Sequence, residues 1–323
     1  MKKSEEIVQY TADDVKRYTE LLKNASYSDD DNLNKILDYV FKDMGKQIRP
    51  HLVFLAAKLF GDVTEKTDYA AVLVQTLHTA TLMHDDVVDD ASLRREKKTV
   101  NAKWRNSVAI LVGDYLFSNA LTIATKQKMY DILEILSPTI SHLSIGEINQ
   151  MELAGGKLFS EGKYYDIIKR KTAVLIGAST EVGAVSVGVN GQHREMIREI
   201  GFEAGIAFQI QDDILDFTAD GVFGKAKGKD LEEKKITLPL IYALNTAPQK
   251  ERDAIISRIQ KGVKQSDIKQ IVEFIESYGG MVYARETMQK HIAKAEALLN
   301  ELPQNEANQS MRALIRYFAS RKK

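Results

Sequence analysis

Two short acidic runs have the residue types and spacing to do chemistry. His84-Asp85-Asp86-Val87-Val88-Asp89-Asp90 and Gln211-Asp212-Asp213-Ile214-Leu215-Asp216 each contain Asp-Asp-x-x-Asp. The chain has 23 aspartates in 323 residues. At that density chance supplies roughly 0.1 such motif in this length, so a pair needs a cause. On a helix, residues i and i+4 share a face, which puts Asp85 over Asp89 and Asp212 over Asp216. Carboxylates about 6 Å apart repel by about 3 kcal/mol at an effective dielectric near 20. No basic residue lies one turn away inside either motif. A divalent cation relieves the repulsion. An all-oxygen ligand set selects Mg²⁺, which takes a few carboxylates and completes its shell with substrate phosphates. The candidate metal ligands are therefore Asp85, Asp89, Asp212 and Asp216. The motifs lie 127 residues apart and are expected to face each other across a helical bundle.

Cations follow each motif: Arg94, Arg95, Lys97 and Lys98 after the first, and Lys225, Lys227 and Lys229 after the second. Carboxylates, Mg²⁺ and Arg or Lys together bind a diphosphate. A third cationic element is Gly45-Lys46-Gln47-Ile48-Arg49-Pro50. Pro50 reads as the first residue of an apolar helix, whose N-terminus with Lys46 and Arg49 is an anion site. His78 lies two turns before Asp85 on the same face.

Helices must position these groups. Five prolines leave long stretches free for helix, and apolar residues recur at three-to-four spacing. Segments 69–84, 104–126, 129–152, 163–189, 195–218, 236–246, 250–262, 265–279 and 281–301 read as helical. Residues 184–189 are the best strand candidate, although their small side chains also suit a buried helix. Residues 28–32, 221–230 and 303–306 read as surface loops. No linker divides the chain, so residues 1–323 are expected to form one all-α domain whose central helices are apolar nearly all round.

Composition narrows the function. Lys plus Arg is 45 and Asp plus Glu is 45, so net charge is zero and a nucleic-acid partner is not expected. At 44% hydrophobic and 28% charged residues the chain is not of the disordered class. Without cysteine it has no disulfide, thiolate metal site or cysteine nucleophile, as suits a cytoplasmic protein. Residues 1–14 have no apolar core of a secretory signal, and unbroken apolar runs such as Val108–Val112 are too short to span a bilayer.

At these motifs the sequence resembles the trans-isoprenyl diphosphate synthase family, also called polyprenyl synthetases. The likeness rests on GKQIRP at 45–50, LHTATLMHDDVVDDASLRR at 77–95, GDYLFSNA at 113–120, KT at 171–172, FQIQDDILDF at 208–217 and GKDLEEKKITLPL at 228–240. It implies an isoprenoid-synthase bundle of α helices around a central apolar cavity. The implied reaction condenses isopentenyl diphosphate head-to-tail onto an allylic diphosphate (geranyl, farnesyl or geranylgeranyl). Asp85, Asp89, Asp212 and Asp216 would hold Mg²⁺, three ions with the allylic diphosphate, and Asp86 and Asp213 complete the motifs. Arg94, Lys171 and Lys229 would bind that diphosphate. Lys46, Arg49, His78 and Arg95 would bind isopentenyl diphosphate, and Thr172 and Gln209 would lie near the reacting carbons. The sequence departs from the family's Gly-Gly-Lys-Arg-x-Arg-Pro at Met44 and Gln47.

In that family, aromatics four and five residues before the first motif shorten the product. Here Thr81 and Ala80 occupy those positions, with Leu77 and Val74 beyond. A medium-to-long chain, such as a quinone side chain, is the expectation, with a geranylgeranyl or farnesyl product as the alternative. The family is commonly dimeric, and some relatives need a small second subunit. The basic segment 316–323 allows at most peripheral membrane contact. A class I terpene cyclase usually carries one aspartate-rich motif, and non-catalytic subunits tend to lose one, whereas this chain has two. A phosphohydrolase using His84-Asp85 would need further histidines in phase, which the other five do not provide.

Overall fold

The computed structural model describes residues 9–153, 160–218, 229–232 and 235–321. The architecture is all-α. A 3₁₀ turn at Gln9–Thr11 leads into α1 (Ala12–Ser26), α2 (Asp31–Phe41), α3 (Ile48–Phe60) and α4 (Glu65–Val88). A two-stranded hairpin, β1 (Leu93–Arg94) and β2 (Lys97–Lys98), precedes α5 (Val100–Lys103), α6 (Asn106–Lys126) and α7 (Tyr130–Leu153). Next come α8 (Glu161–Ile168), a π-helical turn at Lys169–Ala173, α9 (Val174–Ser186) and α10 (Gly191–Thr218). Then follow α11 (Lys229–Glu232), α12 (Leu238–Thr246), α13 (Gln249–Lys261), α14 (Gln265–Ser277), α15 (Gly280–Asn300) and α16 (Glu306–Ser320).

Each helical segment read from the sequence is present. Residues 184–186 continue α9 rather than forming a strand. The hairpin was not foreseen, because strands of two residues carry no alternation. The acidic stretch at 28–32 is a helix start: Asp30 caps α2 by accepting from the Leu33 N–H at 2.7 Å. Helix α3 begins at Ile48, so Pro50 is its third residue rather than its first.

The chain forms two compact units. The first comprises Met1–Ile140, Ala178–Arg198 and Leu302–Met311. Its core collects Tyr18, Leu37, Phe54, Val74, Leu116 and Leu136. Helix α4 is buried on almost every side, from Val72 through Leu77 and Ala80 to Met83, which explains its lack of a polar face. Thr64 starts it with a capping box through Thr67. Helix α6 packs on α4 through Ala109, Val112, Leu116 and Ala120. Among the described residues it is also long and apolar enough to cross a membrane by length and composition. Its unbroken apolar run is short, because Gly113 and Asp114 interrupt it after Val112. Its outer face shows Ile110, Leu111 and Leu121.

The second unit comprises Ser141–Gly177, Glu199–Glu301 and Arg312–Lys323. Ile268, Ile271 and Ile275 of α14 are buried one helical turn apart. Helices α12 and α15 pack together, with the rings of Tyr242 and Tyr283 stacked at 4.1 Å.

Candidate active site

The first motif sits at the C-terminal end of α4. Asp85 is in its last turn and Asp89 is the C-cap, whose N–H donates to the Asp85 carbonyl at 2.8 Å. Asp90 follows at φ 47°, its N–H donating to the Val87 carbonyl, while the Ala91 N–H donates to the Asp86 carbonyl at 2.9 Å. This is a Schellman ending with aspartate at the left-handed position usually taken by glycine. Three carboxylates therefore crowd the negative end of a helix dipole, an arrangement that calls for a cation.

The middle aspartate turns inward. Asp86 is 2% exposed, and its Oδ1 accepts from both Nε and Nη2 of Arg94 at 2.8 Å. The hairpin makes this possible. Arg95 and Glu96, at φ 51° and 65°, form a tight turn of the kind that matches strand twist, and Arg94 pairs with Lys97 across it. The guanidinium of Arg95 lies over Gly45, where a Cβ would fall 2.2 Å from Nη1. Gly45 has φ +62°, a left-handed conformation that glycine takes without strain, and a side chain there would also displace the Arg95 guanidinium. Arg95 donates to the Asp43 carbonyl at 3.2 Å, and Lys97 pairs with the Asp43 carboxylate at 2.9 Å. Asp43 thus gathers the hairpin cations beside the Gly45–Gln47 loop, a role its sequence position did not announce.

Arg49 Nη1 lies 3.0 Å from His78 Nε2. A guanidinium only donates, so Nε2 accepts and the proton of the neutral ring is on Nδ1. Burial, with Arg49, Arg94 and Arg95 nearby, lowers the His78 pKa well below its usual value. His78 is therefore neutral at physiological pH and carries its proton on Nδ1. Burial lowers Arg49 to about 10, so it remains a cation at neutral pH. His78, Asp86, Arg94 and Arg95 line one cavity of about 100 Å³ with Met44 and Thr79. Lys46 is exposed. Gln47, a departure from the family pattern, takes a left-handed conformation at the N-cap of α3. Its Oε1 accepts from the hydroxyl of fully buried Tyr18 at 2.7 Å, so it serves a structural bond.

His84 does not pair with Asp85 as a metal doublet. Its Nε2 donates to the Ile110 carbonyl at 3.1 Å and lies 3.3 Å from Asp114, and its ring packs against Phe117. Ala80 and Leu77 are buried in the core of the first unit, while Thr81 is half-buried and donates to the His78 carbonyl.

The second motif lies within the last two turns of α10. Asp212 and Asp216 are half-buried, and Asp213 is 2% exposed. Asp213 also turns inward: Tyr164 donates to its Oδ2 at 2.6 Å and Gln209 to its Oδ1 at 3.0 Å. Thr172 in turn donates to Gln209 Oε1 at 2.8 Å. The π turn presents Thr172 to α10, and Gly205, one turn before Gln209, permits the approach. A Cβ there would lie 2.6 Å from the Cα of Ala173. Lys171, on the same π turn, pairs with Glu147 of α7. Tyr164 and Glu147 carried no motif signal. The side chain of Lys229, and Lys225 and Lys227 entirely, lie outside the described residues.

A cation from outside the motif itself reaches the second motif. Arg321 Nη2 pairs with Asp212 Oδ1 at 2.7 Å, coming from far along the chain. Within the basic segment 316–323, Arg316 pairs with Glu296 at 2.5 Å and stays exposed, Arg321 is buried, and Lys322 and Lys323 lie outside the described residues.

The donor chemistry suits Mg²⁺. Among the described residues no group of three or more carboxylate or histidine side chains could hold a metal alone. Each motif offers a pair of oxygen ligands, Asp85 with Asp89 or Asp212 with Asp216. An ion held so needs further oxygens, and a diphosphate supplies them.

Comparison with known proteins agrees with this geometry. The chain matches the Polyprenyl synthetase family over residues 30–275. It is 36% identical over 280 residues to heptaprenyl diphosphate synthase component 2 of Bacillus subtilis, covering 86% of this chain and 79% of that one. It is 32% identical to the octaprenyl diphosphate synthase of Escherichia coli over 93% of both. Among solved structures, the decaprenyl diphosphate synthase of Rhodobacter capsulatus superposes with a TM-score of 0.93 at 31% identity over 99% of both chains. The polyprenyl synthase of Caulobacter crescentus, complexed with calcium and isoprenyl diphosphate, gives 0.91 at 30% identity over 99% of this chain and 98% of that one. The chain belongs to the polyprenyl synthetase family of trans-isoprenyl diphosphate synthases.

Proposed function

We propose that this chain is an all-trans polyprenyl diphosphate synthase of the medium-to-long-chain type, acting in the cytoplasm with residues 1–323 as one catalytic domain. The observation that carries the reading is the cavity lined by His78, Asp86, Arg94 and Arg95, on the same helix end that carries Asp85 and Asp89. It gathers fixed cations and a neutral histidine at the end of the helix whose last turn bears a metal-seeking carboxylate pair.

In this reading Arg94, held by Asp86, and Lys171 neutralise the allylic diphosphate as its C–O bond breaks. Lys229 is assigned to the same task from the motif alone. Mg²⁺, three ions in the family's pattern, would be held by Asp85, Asp89, Asp212 and Asp216 and would act as a Lewis acid on the leaving oxygens. Lys46, Arg49, Arg95 and the His78 Nδ1–H seat the isopentenyl diphosphate. Its double bond attacks the allylic cation, forming one carbon–carbon bond, and the proton then lost goes to the departed diphosphate. Thr172 and Gln209, locked together and to Asp213, present fixed dipoles near the reacting carbons. No side-chain nucleophile is required.

Ala80, Thr81 and Leu77 are proposed to set chain length. Octaprenyl and nonaprenyl synthases among the relatives support a long product. A homodimer is also proposed. It is supported by apolar faces such as Ile110, Leu111 and Leu121 on α6, with Ile145, Ile148 and Met151 exposed on α7.

Incubation with farnesyl diphosphate, isopentenyl diphosphate and Mg²⁺, followed by chromatography, tests the function. Products beyond the C20 stage support it, whereas diphosphate release without extension overturns it. Extension only after adding a second protein would place the chain with relatives named as component 2. Ala80→Phe should shorten the product, and an unchanged length removes Ala80 from the chain-length assignment.

A further inference from the structure

Arg321 follows the end of α16, and its side-chain and carbonyl contacts fall on one face of the second motif's own helix. Its Nη2 pairs with Asp212 Oδ1 at 2.7 Å and donates to the Phe208 carbonyl at 3.0 Å. Its guanidinium carbon lies 3.9 Å from the Phe208 ring centroid. Its own carbonyl accepts from Gln211 Nε2 at 2.9 Å. Residues 208, 211 and 212 stand at i, i+3 and i+4, so one stripe of α10 holds both the backbone and the side chain of Arg321. The exposure is uneven: the arginine side chain is 8% accessible and that of Asp212 43%. The cation is fixed inside, and the carboxylate keeps a side open to solvent.

A buried guanidinium depends on its anion, because leaving it unpaired is costly. A divalent ion arriving at Asp212 and Asp216 would meet a positive charge already bound to one Asp212 oxygen. From this geometry we infer that Arg321 is a positioning residue that competes with metal for Asp212. It makes the second motif a weak metal site until a diphosphate brings compensating negative charge. Metal and diphosphate would then bind this motif together rather than in sequence. The inference rests on the assignment of Asp212 to the metal.

The test measures binding of Mn²⁺ alone to the full chain, by the loss of the free-ion electron paramagnetic resonance signal. Point substitutions are preferred to truncation because they keep the Arg321 carbonyl that Gln211 binds. Arg321→Met should bind Mn²⁺ on the order of five-fold tighter than the parent, the scale of a partly exposed ion pair. Arg321→Gln should do the same while retaining a donor toward Phe208, and Arg321→Lys, which keeps the charge, should stay near the parent. If Arg321 were purely structural, replacing it would lower the unfolding temperature and leave Mn²⁺ affinity unchanged. Unchanged or weaker Mn²⁺ binding in both the Met and Gln variants therefore overturns the inference. Asp212→Asn separates the two assumptions. If it leaves Mn²⁺ binding untouched, Asp212 is not a ligand and the functional reading fails at this residue. If it weakens binding while both arginine variants match the parent, only the role of Arg321 fails.

Discussion

The two aspartate motifs share a five-residue pattern but are built in different ways. The first ends its helix: Asp89 is the cap, Asp90 turns left-handed, and a six-residue hairpin returns Arg94 to Asp86. The partner of its middle aspartate comes from eight residues away. The second motif stays within a continuous helix, and Asp213 is held by Gln209 on the preceding turn and by Tyr164, 49 residues earlier in the chain. Both middle aspartates are 2% exposed and turn away from the metal-seeking pair. The common pattern thus encodes two outward carboxylates and one inward anchor. In the first motif the anchor fixes a cation; in the second it fixes an amide and, through it, a hydroxyl.

The largest effects should come from the outward residues. Asp85→Asn and Asp212→Asn should each lower kcat by about 10³-fold, the loss expected when charge stabilisation at a reacting centre is removed. A collapse in only one of them would show that the motifs do not share the metal task equally. The inward residues should separate the two designs. Asp86→Asn should act mainly on KM for the allylic substrate, by roughly 10- to 100-fold, because Arg94 loses its anchor. Asp213→Asn should act mainly on kcat, by about 10-fold, through misplacement of Gln209 and Thr172. Matching KM and kcat changes in the two variants would erase the distinction.

Acid should tell on the region of the first motif. Burial lowers His51 to about 4 and also lowers His78. Since these histidines take protons more readily when unfolded, the unfolded chain binds more protons, and stability is lost as pH falls from the usual histidine range near 6.5 toward 4. For His51 alone this amounts to about 2 kcal/mol between pH 7 and pH 5. Urea unfolding at the two pH values checks it, and His51→Gln should flatten the slope. The smallest effect should come from Tyr164→Phe. Loss of its bond to Asp213 should cost about 1 kcal/mol in urea unfolding, with a few-fold decrease in kcat.

The difference between the motifs also explains what could be read in advance. The helices, both acidic motifs and the cations of the first motif were legible, because periodicity and i+4 spacing are local properties. Asp43, two residues before Gly45, escaped notice because acidic loop residues are common. The hairpin was missed because its turn residues are Arg95 and Glu96 rather than glycine or asparagine. Nothing in the sequence ties Tyr164 to Asp213, Glu147 to Lys171 or Arg321 to Asp212. Those pairs arise from helix packing across intervals of 24 to 109 residues, where spacing carries no signal.

The π turn at Lys169–Ala173 has a consequence for how this chain tolerates change in length. A π turn accommodates an extra residue within an otherwise α-helical run. Deleting one residue there would restore a regular helix and swivel everything before it by about 100° against everything after it. Tyr164 would swing away from Asp213 while Thr172 kept its place beside Gln209. A one-codon deletion at this point would therefore act as a rotation rather than a shortening, uncoupling the second motif's anchor while leaving every named side chain intact. Pairing the deletion with a one-residue insertion elsewhere between 169 and 173 should restore the bearing, whereas the same insertion in the 247–248 connection should not.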